Sequence, residues 1–289
     1  MSKATQTVLV TGSSSGIGRA TRDRFAAAGW TVYAGVRDLT PDPDLPANVR
    51  PILIDVADPA QIRAAVARID QDCGGLDALV NNAGTLTLGA FEDMPARDWQ
   101  DVMTVNFFGP VELTRQVLPL MRRKRSGVVV MLSSLSGLVG LPGNSAYTAS
   151  KFALEGATES LRHEVARFGI AVALVQPGAI ATEMPQKLKI PDDYQPDSPY
   201  LPMLTACLPD DADEGRGDSP DMVAKVIFDI VATKAPKLRY PAGAQAEAVT
   251  AKIPTLDDAA RSRFIRDVSG LDWWTAGADA PLKTEKATS

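Results

Sequence analysis

Short apolar runs alternate along this chain with longer stretches in which apolar residues recur every three or four positions. The first run, residues 7–10 (Thr-Val-Leu-Val), ends at Thr11-Gly12. A helical pattern follows over 16–28 and stops at Gly29. Further strands are predicted at 31–36, 51–55, 77–80, 127–132 and 170–175, with a seventh at 237–240. Helices are predicted at 59–72, 95–124 and 145–168. The strand runs are continuous rather than alternating, which predicts burial on both faces. Strands that take turns with helices form a parallel sheet covered by helices on both sides. The expected fold class is therefore α/β, a doubly wound parallel sheet of about seven strands. Neither an internal repeat nor a linker divides the chain, so residues 1–289 are expected to form one domain with its core in 5–243.

Two regions break this rhythm. From 185 to 220 prolines are frequent among acidic residues, and Tyr200, Leu201, Met203 and Leu204 stand close together. A long irregular segment of that kind predicts a substrate lid over about 184–218, with a solvated insertion as the plainer reading. Residues 244–289 extend beyond the seventh strand. There Thr255-Leu-Asp-Asp258 resembles a capping box, and Trp273-Trp274 is expected to pack on the body. The tail from 283 to 289 is expected to fray.

Composition is that of an ordinary globular chain: 289 residues, 45% hydrophobic and 22% charged. A net charge of −5 supplies no basic field for nucleic acid. The one basic run, residues 122–125, falls where a helix should end, and cations suit that end of the helix dipole. Cys73 and Cys207 are the only cysteines and have no metal-spaced neighbours, which predicts free thiols in a reducing compartment. The chain enters its first strand almost at once, leaving no apolar leader region, and no stretch has transmembrane length. A soluble, cytoplasmic protein with no membrane partner is expected.

Candidate chemistry collects where strands end. Residues 11–18 (Thr-Gly-Ser-Ser-Ser-Gly-Ile-Gly) join the first strand to the first helix. Glycines there let backbone approach a pyrophosphate, and the helix N-terminus offers unpaired amides to it. At the end of the second strand stands Val36, followed by Arg37, where dinucleotide sheets commonly carry a ribose-binding acid. A neutral residue followed by arginine suits a 2′-phosphate, so NADP(H) is favoured. Asp38 keeps NAD(H) open, since it could pair with Arg37 or bind the ribose itself. Asn81-Asn-Ala-Gly84, Ser133-Ser134 and residues 177–182 (Pro-Gly-Ala-Ile-Ala-Thr) follow the fourth, fifth and sixth strands and should share one rim. Tyr147 and Lys151 are four apart in the long helix, so both project from one face. An ammonium beside a phenol should lower its pKa and make it a general acid or base. His163 is the only histidine and sits in the same helix, where a solvent-facing role is expected; no metal site is predicted.

These motifs, in this order and spacing, resemble the short-chain dehydrogenase/reductase family over about residues 5–185, with a weaker match at the seventh strand. The resemblance implies a Rossmann-type sheet and the following roles. Tyr147 would exchange a proton with substrate oxygen, and Lys151 would hold the nicotinamide ribose and lower the tyrosine pKa. Ser134 would orient the substrate carbonyl. Asn106 would hold a water that links Lys151 to solvent. Gly12, Ser14, Ser15, Gly16, Ile17 and Gly18 would surround the adenosine and pyrophosphate. Asp55 and Val56 would bracket the adenine, with Asn82, Ala83 and Gly84 on the adenosine side. Pro177, Gly178, Ile180 and Thr182 would hold the nicotinamide end, Ile180 through its backbone.

The activity implied is interconversion of a ketone or aldehyde with an alcohol, on a small-molecule substrate. The second strand is similar to that of relatives acting on steroids, retinoids and other bulky apolar carbonyls. Relatives are commonly homo-oligomers, dimers or tetramers joined through the long helices. Two other readings stay open: a cofactor-sensing regulatory protein that retains the fold, and an NAD-dependent non-redox enzyme such as an epimerase.

Overall fold

Successive side chains of a strand leave on opposite faces, and here both faces are covered. The computed structural model describes residues 5–40, 43–182, 197–208, 217–233 and 237–279. The chain runs β1 (Thr7–Thr11), α1 (Gly16–Ala27), β2 (Thr31–Val36), β3 (Val49–Leu53), α2 (Pro59–Cys73), β4 (Ala78–Asn81) and α3 (Ala96–Met103). It continues through α4 (Gly109–Lys124), β5 (Gly127–Leu132), α5 (Ser145–Val165), β6 (Ile170–Pro177), α6 (Leu201–Cys207) and α7 (Pro220–Ala232). The last elements are β7 (Arg239–Ala242), α8 (Ala244–Lys252), α9 (Asp258–Ser269) and α10 (Asp272–Thr275). All seven strands are parallel, in the order β3-β2-β1-β4-β5-β6-β7.

Parity along each strand sorts the core into two layers. Leu9, Leu79, Val129 and Leu174 pack on one face with Ile62 and Ile69 of α2, Leu113 and Val117 of α4, and Leu154 of α5. Val8, Val10, Val80 and Val130 pack on the other with Phe25 of α1 and Val223 and Ile227 of α7. The order reverses between β1 and β4, because β2 and β3 extend one way and β5 to β7 the other. A doubly wound sheet opens its crevice at that switch point, beyond the carboxyl ends of the strands. Among the described residues, no helix is long and apolar enough to cross a membrane.

Burial on both faces holds for the central strands and fails at the edges. β1 and β4 are buried throughout, whereas β3 and β7 are partly exposed. Their bounds also differ from the apolar runs by two residues. β3 is set by its pairing with β2, from Val32↔Val49 to Val36↔Leu53. β7 is set by its pairing with β6, and Pro241 is tolerated there because an edge strand has one unpaired side.

The stretch 95–124 is interrupted where one helix was expected. Residues Thr104–Phe108 form a π turn, closed by Gly109 N–H donating to the Thr104 carbonyl. A Cβ on Gly109 would lie 2.5 Å from the Val56 carbonyl oxygen, so the widened turn goes with a close approach of α4 to the end of β3. The basic run ends α4 as expected, with Arg123 paired to Asp70 and Lys124 to Asp77. His163 is exposed, and both cysteine thiols are free.

The C-terminal region shows two further departures. Asp257, not Thr255, caps α9 by accepting from Ala260 N–H at 2.7 Å. Thr255 instead turns its hydroxyl back to the Lys252 carbonyl at 2.7 Å. Part of the segment read as irregular is the helix α6. Trp273 and Trp274 pack against Tyr200, Met203 and Leu204 of that part, together with Leu271 and Ala90. The rest of the expected lid, 184–196 and 209–216, and the tail 283–289 lie outside the described residues.

Candidate active site

The glycine-rich turn is held by contacts to β4. Gly12 and Gly16 take φ values of 62° and 53°, where a side chain would be strained. A Cβ on Gly18 would sit 2.1 Å from the Gly12 carbonyl oxygen, so α1 meets the turn at backbone contact. Thr11 Oγ1 accepts from the N–H groups of Asn82 and Ala83 at 3.1 and 3.0 Å. Asn82 Nδ2 donates to the carbonyls of Thr11 and Gly12 at 2.8 and 3.1 Å. The Asn82 side chain is thus spent on bracing the turn. Ser13 is fully buried and ties the turn to β2 through the Gly35 carbonyl at 3.1 Å. Ser14 is exposed, Ser15 and Ile17 are half-buried, and the first turn of α1 carries no acidic side chain. The result is a backbone cradle with the helix N-terminus open to an anion.

Arg37 and Asp38 are both exposed just past β2. They do not pair: Asp38 accepts from the Thr40 hydroxyl at 3.0 Å. Asp55 accepts from Ala57 N–H at 2.9 Å, and Val56 is buried beneath Gly109. Gly84 lies close to the Asn106 carboxamide; a Cβ there would meet Asn106 Oδ1 at 3.3 Å.

The proton-transfer candidates converge from β5 and α5. Ser134 follows β5 and accepts from Ser136 N–H at 3.1 Å, which fixes its oxygen. Tyr147 and Lys151 share one face of α5, with the Lys151 ammonium 5.4 Å from the Tyr147 ring centre. Lys151 is 5% exposed and donates to the Leu132 carbonyl at 2.8 Å. Burial pulls the Lys151 pKa down to about 8, with the Glu155 carboxylate opposing the fall. Tyr147 departs from the simple spacing argument. Burial pushes its pKa up, and the opposing pull comes from the nearby Ser134 hydroxyl. Desolvation of this corner weighs more on the phenol than the neighbouring ammonium does, because that ammonium is turned to the Leu132 carbonyl.

Asn106 projects from the π turn and is 1% exposed. Its Nδ2 donates to the Thr85 carbonyl at 2.9 Å and to Ser150 Oγ at 3.1 Å, while Oδ1 accepts from Thr85 N–H at 2.8 Å. Ser150 in turn donates to the Tyr147 carbonyl at 2.7 Å. The asparagine thereby locks the segment after β4 onto the helix that bears Tyr147.

Residues after β6 close the rim. Gly178 and Ala179 lie against Gln245, whose Oε1 accepts from Ala179 N–H at 2.9 Å. Ile180 forms a parallel bridge to Asp218. Thr182 reaches the glycine turn: a Cβ on Gly16 would lie 3.2 Å from its methyl group. The loops that follow β1, β2, β4, β5 and β6, which carry most of these residues, lie at the carboxyl edge of the sheet. Thr11, Ser13, Thr85, Ser150 and Gln245 were given no role by sequence. Thr11 lies inside the motif, but nothing local marks Gln245, which arrives from α8.

The family model described as short chain dehydrogenase matches residues 6–192. A 3-ketodihydrosphingosine reductase of Bacteroides thetaiotaomicron is 35% identical over 248 residues, 86% of this chain and 91% of that protein. Retinol dehydrogenase 8 of Bos taurus is 35% identical over 255 residues, 83% of this chain and 82% of that one. A solved short-chain dehydrogenase from Streptomyces avermitilis superposes with a TM-score of 0.78 at 32% identity, covering 96% of this chain and 100% of its own. The fold and the site thus define a nicotinamide-dependent oxidoreductase acting on alcohol and carbonyl groups. The chain belongs to the short-chain dehydrogenase family.

The cradle fits a dinucleotide because its glycines cannot carry side chains. Gly18→Ala should force the turn apart, lower stability by about 1–3 kcal/mol and weaken binding of the nicotinamide dinucleotide. Urea unfolding together with fluorescence titration checks this; wild-type affinity in the variant would refute the close-approach argument.

Proposed function

We propose that this protein is an NADP(H)-dependent carbonyl reductase and alcohol dehydrogenase for bulky apolar substrates. The observation that carries the reading is the convergence of Ser134, Tyr147 and Lys151 beside the glycine cradle. When bound, the dinucleotide supplies or accepts the hydride. In reduction, the Ser134 hydroxyl and Tyr147 phenol donate to the substrate oxygen as negative charge develops there. Tyr147 then delivers its proton, and the Lys151 ammonium stabilises the phenolate that remains. A phenol whose pKa is raised by burial keeps its proton at neutral pH and so can donate it. The role depends on a charged lysine, so reduction should fall as pH rises through about 8.

Asn106 contributes by holding Thr85 and Ser150, and hence the start of α5. Its side-chain donors are both engaged, so the water relay implied by resemblance would use its remaining acceptor capacity. Pro177, Gly178, Ile180 and Thr182 would hold the nicotinamide end, and Asp55, Val56, Asn82, Ala83 and Gly84 the adenosine end. Preference for NADP(H) over NAD(H) is supported by Arg37, which has no side-chain partner among the described residues while Asp38 is engaged by Thr40. A 2′-phosphate would complete that exposed cation.

The substrates named for two relatives, 3-ketodihydrosphingosine and retinol, support a bulky apolar ketone or alcohol here. So does the described part of the lid. Met203 and Leu204 are buried, and Leu204 lies against Gly143 in the loop that leads to Tyr147. Tyr200 donates to Glu92 at 2.7 Å and Ser198 to Asp93 at 2.5 Å, which anchors this part to the loop after β4.

Three outcomes test the reading. Tyr147→Phe keeps the ring and removes the proton, so ketone turnover should drop by at least ~100-fold with NADPH binding nearly intact; turnover at the wild-type rate refutes the assignment. Arg37→Ala should weaken NADPH binding by about 1.5–3 kcal/mol and leave NADH unchanged, and equal use of both cofactors by the wild type counts against the preference. Hydrogen exchange should slow in 197–208 when NADPH and a bulky ketone are present. Identical exchange in both states would leave this segment a fixed surface element rather than a lid.

A further inference from the structure

α5 carries another ionisable residue one turn beyond Lys151. Glu155 follows by four positions, so the two side chains leave neighbouring points of one helix face. Both are only 5% exposed. A carboxylate at that depth needs partners, and Glu155 finds them on two strands. Its Oε1 accepts from Gln176 Nε2 of β6 at 2.9 Å, and its Oε2 from Arg239 Nε of β7 at 2.8 Å. Arg239 reaches on to Glu159 at 2.7 Å, near the surface. From the β5 side, Gly137 leaves the space: a Cβ there would meet Glu155 Cγ at 3.0 Å.

The reaction described above makes no direct use of Glu155. A tie between α5 and the sheet requires no carboxylate next to the catalytic lysine. The groups facing Lys151 are Glu155 and the Tyr147 phenol from its own helix and the Leu132 carbonyl from β5. Those facing Glu155 are Lys151, Arg239 from β7 and the neutral Gln176 from β6. Among these groups Glu155 is the only carboxylate, one helical turn from Lys151 and equally buried, its oxygens bonded to Gln176 and Arg239 rather than to the ammonium.

We propose that Glu155 is the counter-charge that keeps buried Lys151 an ammonium, and that Gln176 and Arg239 fix it in place. Glu155 is a positioning residue, acting through Lys151. The proposal rests on the catalytic use of Lys151, but its electrostatic half can be read without turnover. The sign follows from the causes. Burial disfavours the ammonium and Glu155 favours it, so removing the carboxylate lowers the pH at which Lys151 titrates. Removing Arg239, a cation on the far side of Glu155, acts in the opposite direction.

The test is an NMR titration of full-length protein labelled with ¹³C-lysine, the Lys151 signal being assigned by its loss in Lys151→Met. In Glu155→Gln, which keeps the shape and a hydrogen-bonding oxygen, the Lys151 midpoint should fall by about one pH unit. In Arg239→Gln, at a partly exposed position on the edge strand, it should rise. An unmoved or opposite shift in whichever variant folds overturns the proposal. The alkaline limb of kcat/KM for ketone reduction should follow the NMR midpoint. A midpoint that moves while the limb stays would support the counter-charge and refute the catalytic role of Lys151. A merely structural Glu155 would lower the melting temperature and leave both midpoints where they are.

Discussion

The approach of Gly18 to the Gly12 carbonyl sets the geometry on which the rest of the site depends. With no Cβ between them, α1 begins in contact with the turn that follows β1. Its N-terminus therefore lies across the switch point of the sheet, where a helix dipole and free amides meet an anion. Thr11 and Asn82 convert that turn from a local bend into a joint between β1 and β4. Thr182, arriving after β6, is placed against Gly16 of the same turn. One backbone contact thus registers the three loops that line the cradle.

The candidate proton-transfer groups lie in a desolvated corner between β5 and α5. Dry surroundings oppose charge on both Tyr147 and Lys151, in opposite pKa directions. The two shifts bring a protonated phenol and a marginally stable ammonium side by side. Such groups tolerate little displacement, which accounts for the hydrogen bonds that fasten α5 at Ser150, Lys151 and Glu155. By contrast, the exposed pairs at Arg68–Asp72 and Lys225–Asp229 are i,i+4 helix contacts worth little. Stability comes mainly from the two apolar layers, where each fully buried aliphatic or aromatic side chain contributes about 1.5–3 kcal/mol.

The apolar half of this plan is readable from the chain because a strand buried on both faces must be apolar at every position. That is why β1, β4, β5 and β6 stand out. At the edges the signal weakens: β3 and β7 expose one side, and their ends follow from pairing with β2 and β6 rather than from hydrophobicity. The π turn at Asn106 and the helix α6 were hidden for a related reason, since each depends on what packs against it. The acid that caps α9 differs by two residues from the threonine that local pattern suggested, because Thr255 completes the preceding turn instead.

By itself the sequence determined the α/β layering and the residue types that gather at the carboxyl rim of the sheet. Motif spacing suffices for this, since glycines at a strand–helix turn and a tyrosine four residues from a lysine each act within one element. Only the tertiary structure decided what those residues are bonded to. It committed Asn82 to bracing the turn and Asn106 to Thr85 and Ser150, separated Asp38 from Arg37, and raised the Tyr147 pKa. It also brought Gln176 and Arg239 to Glu155. These are contacts between distant segments, and they depend on burial and register across the sheet, neither of which exists until the strands have paired.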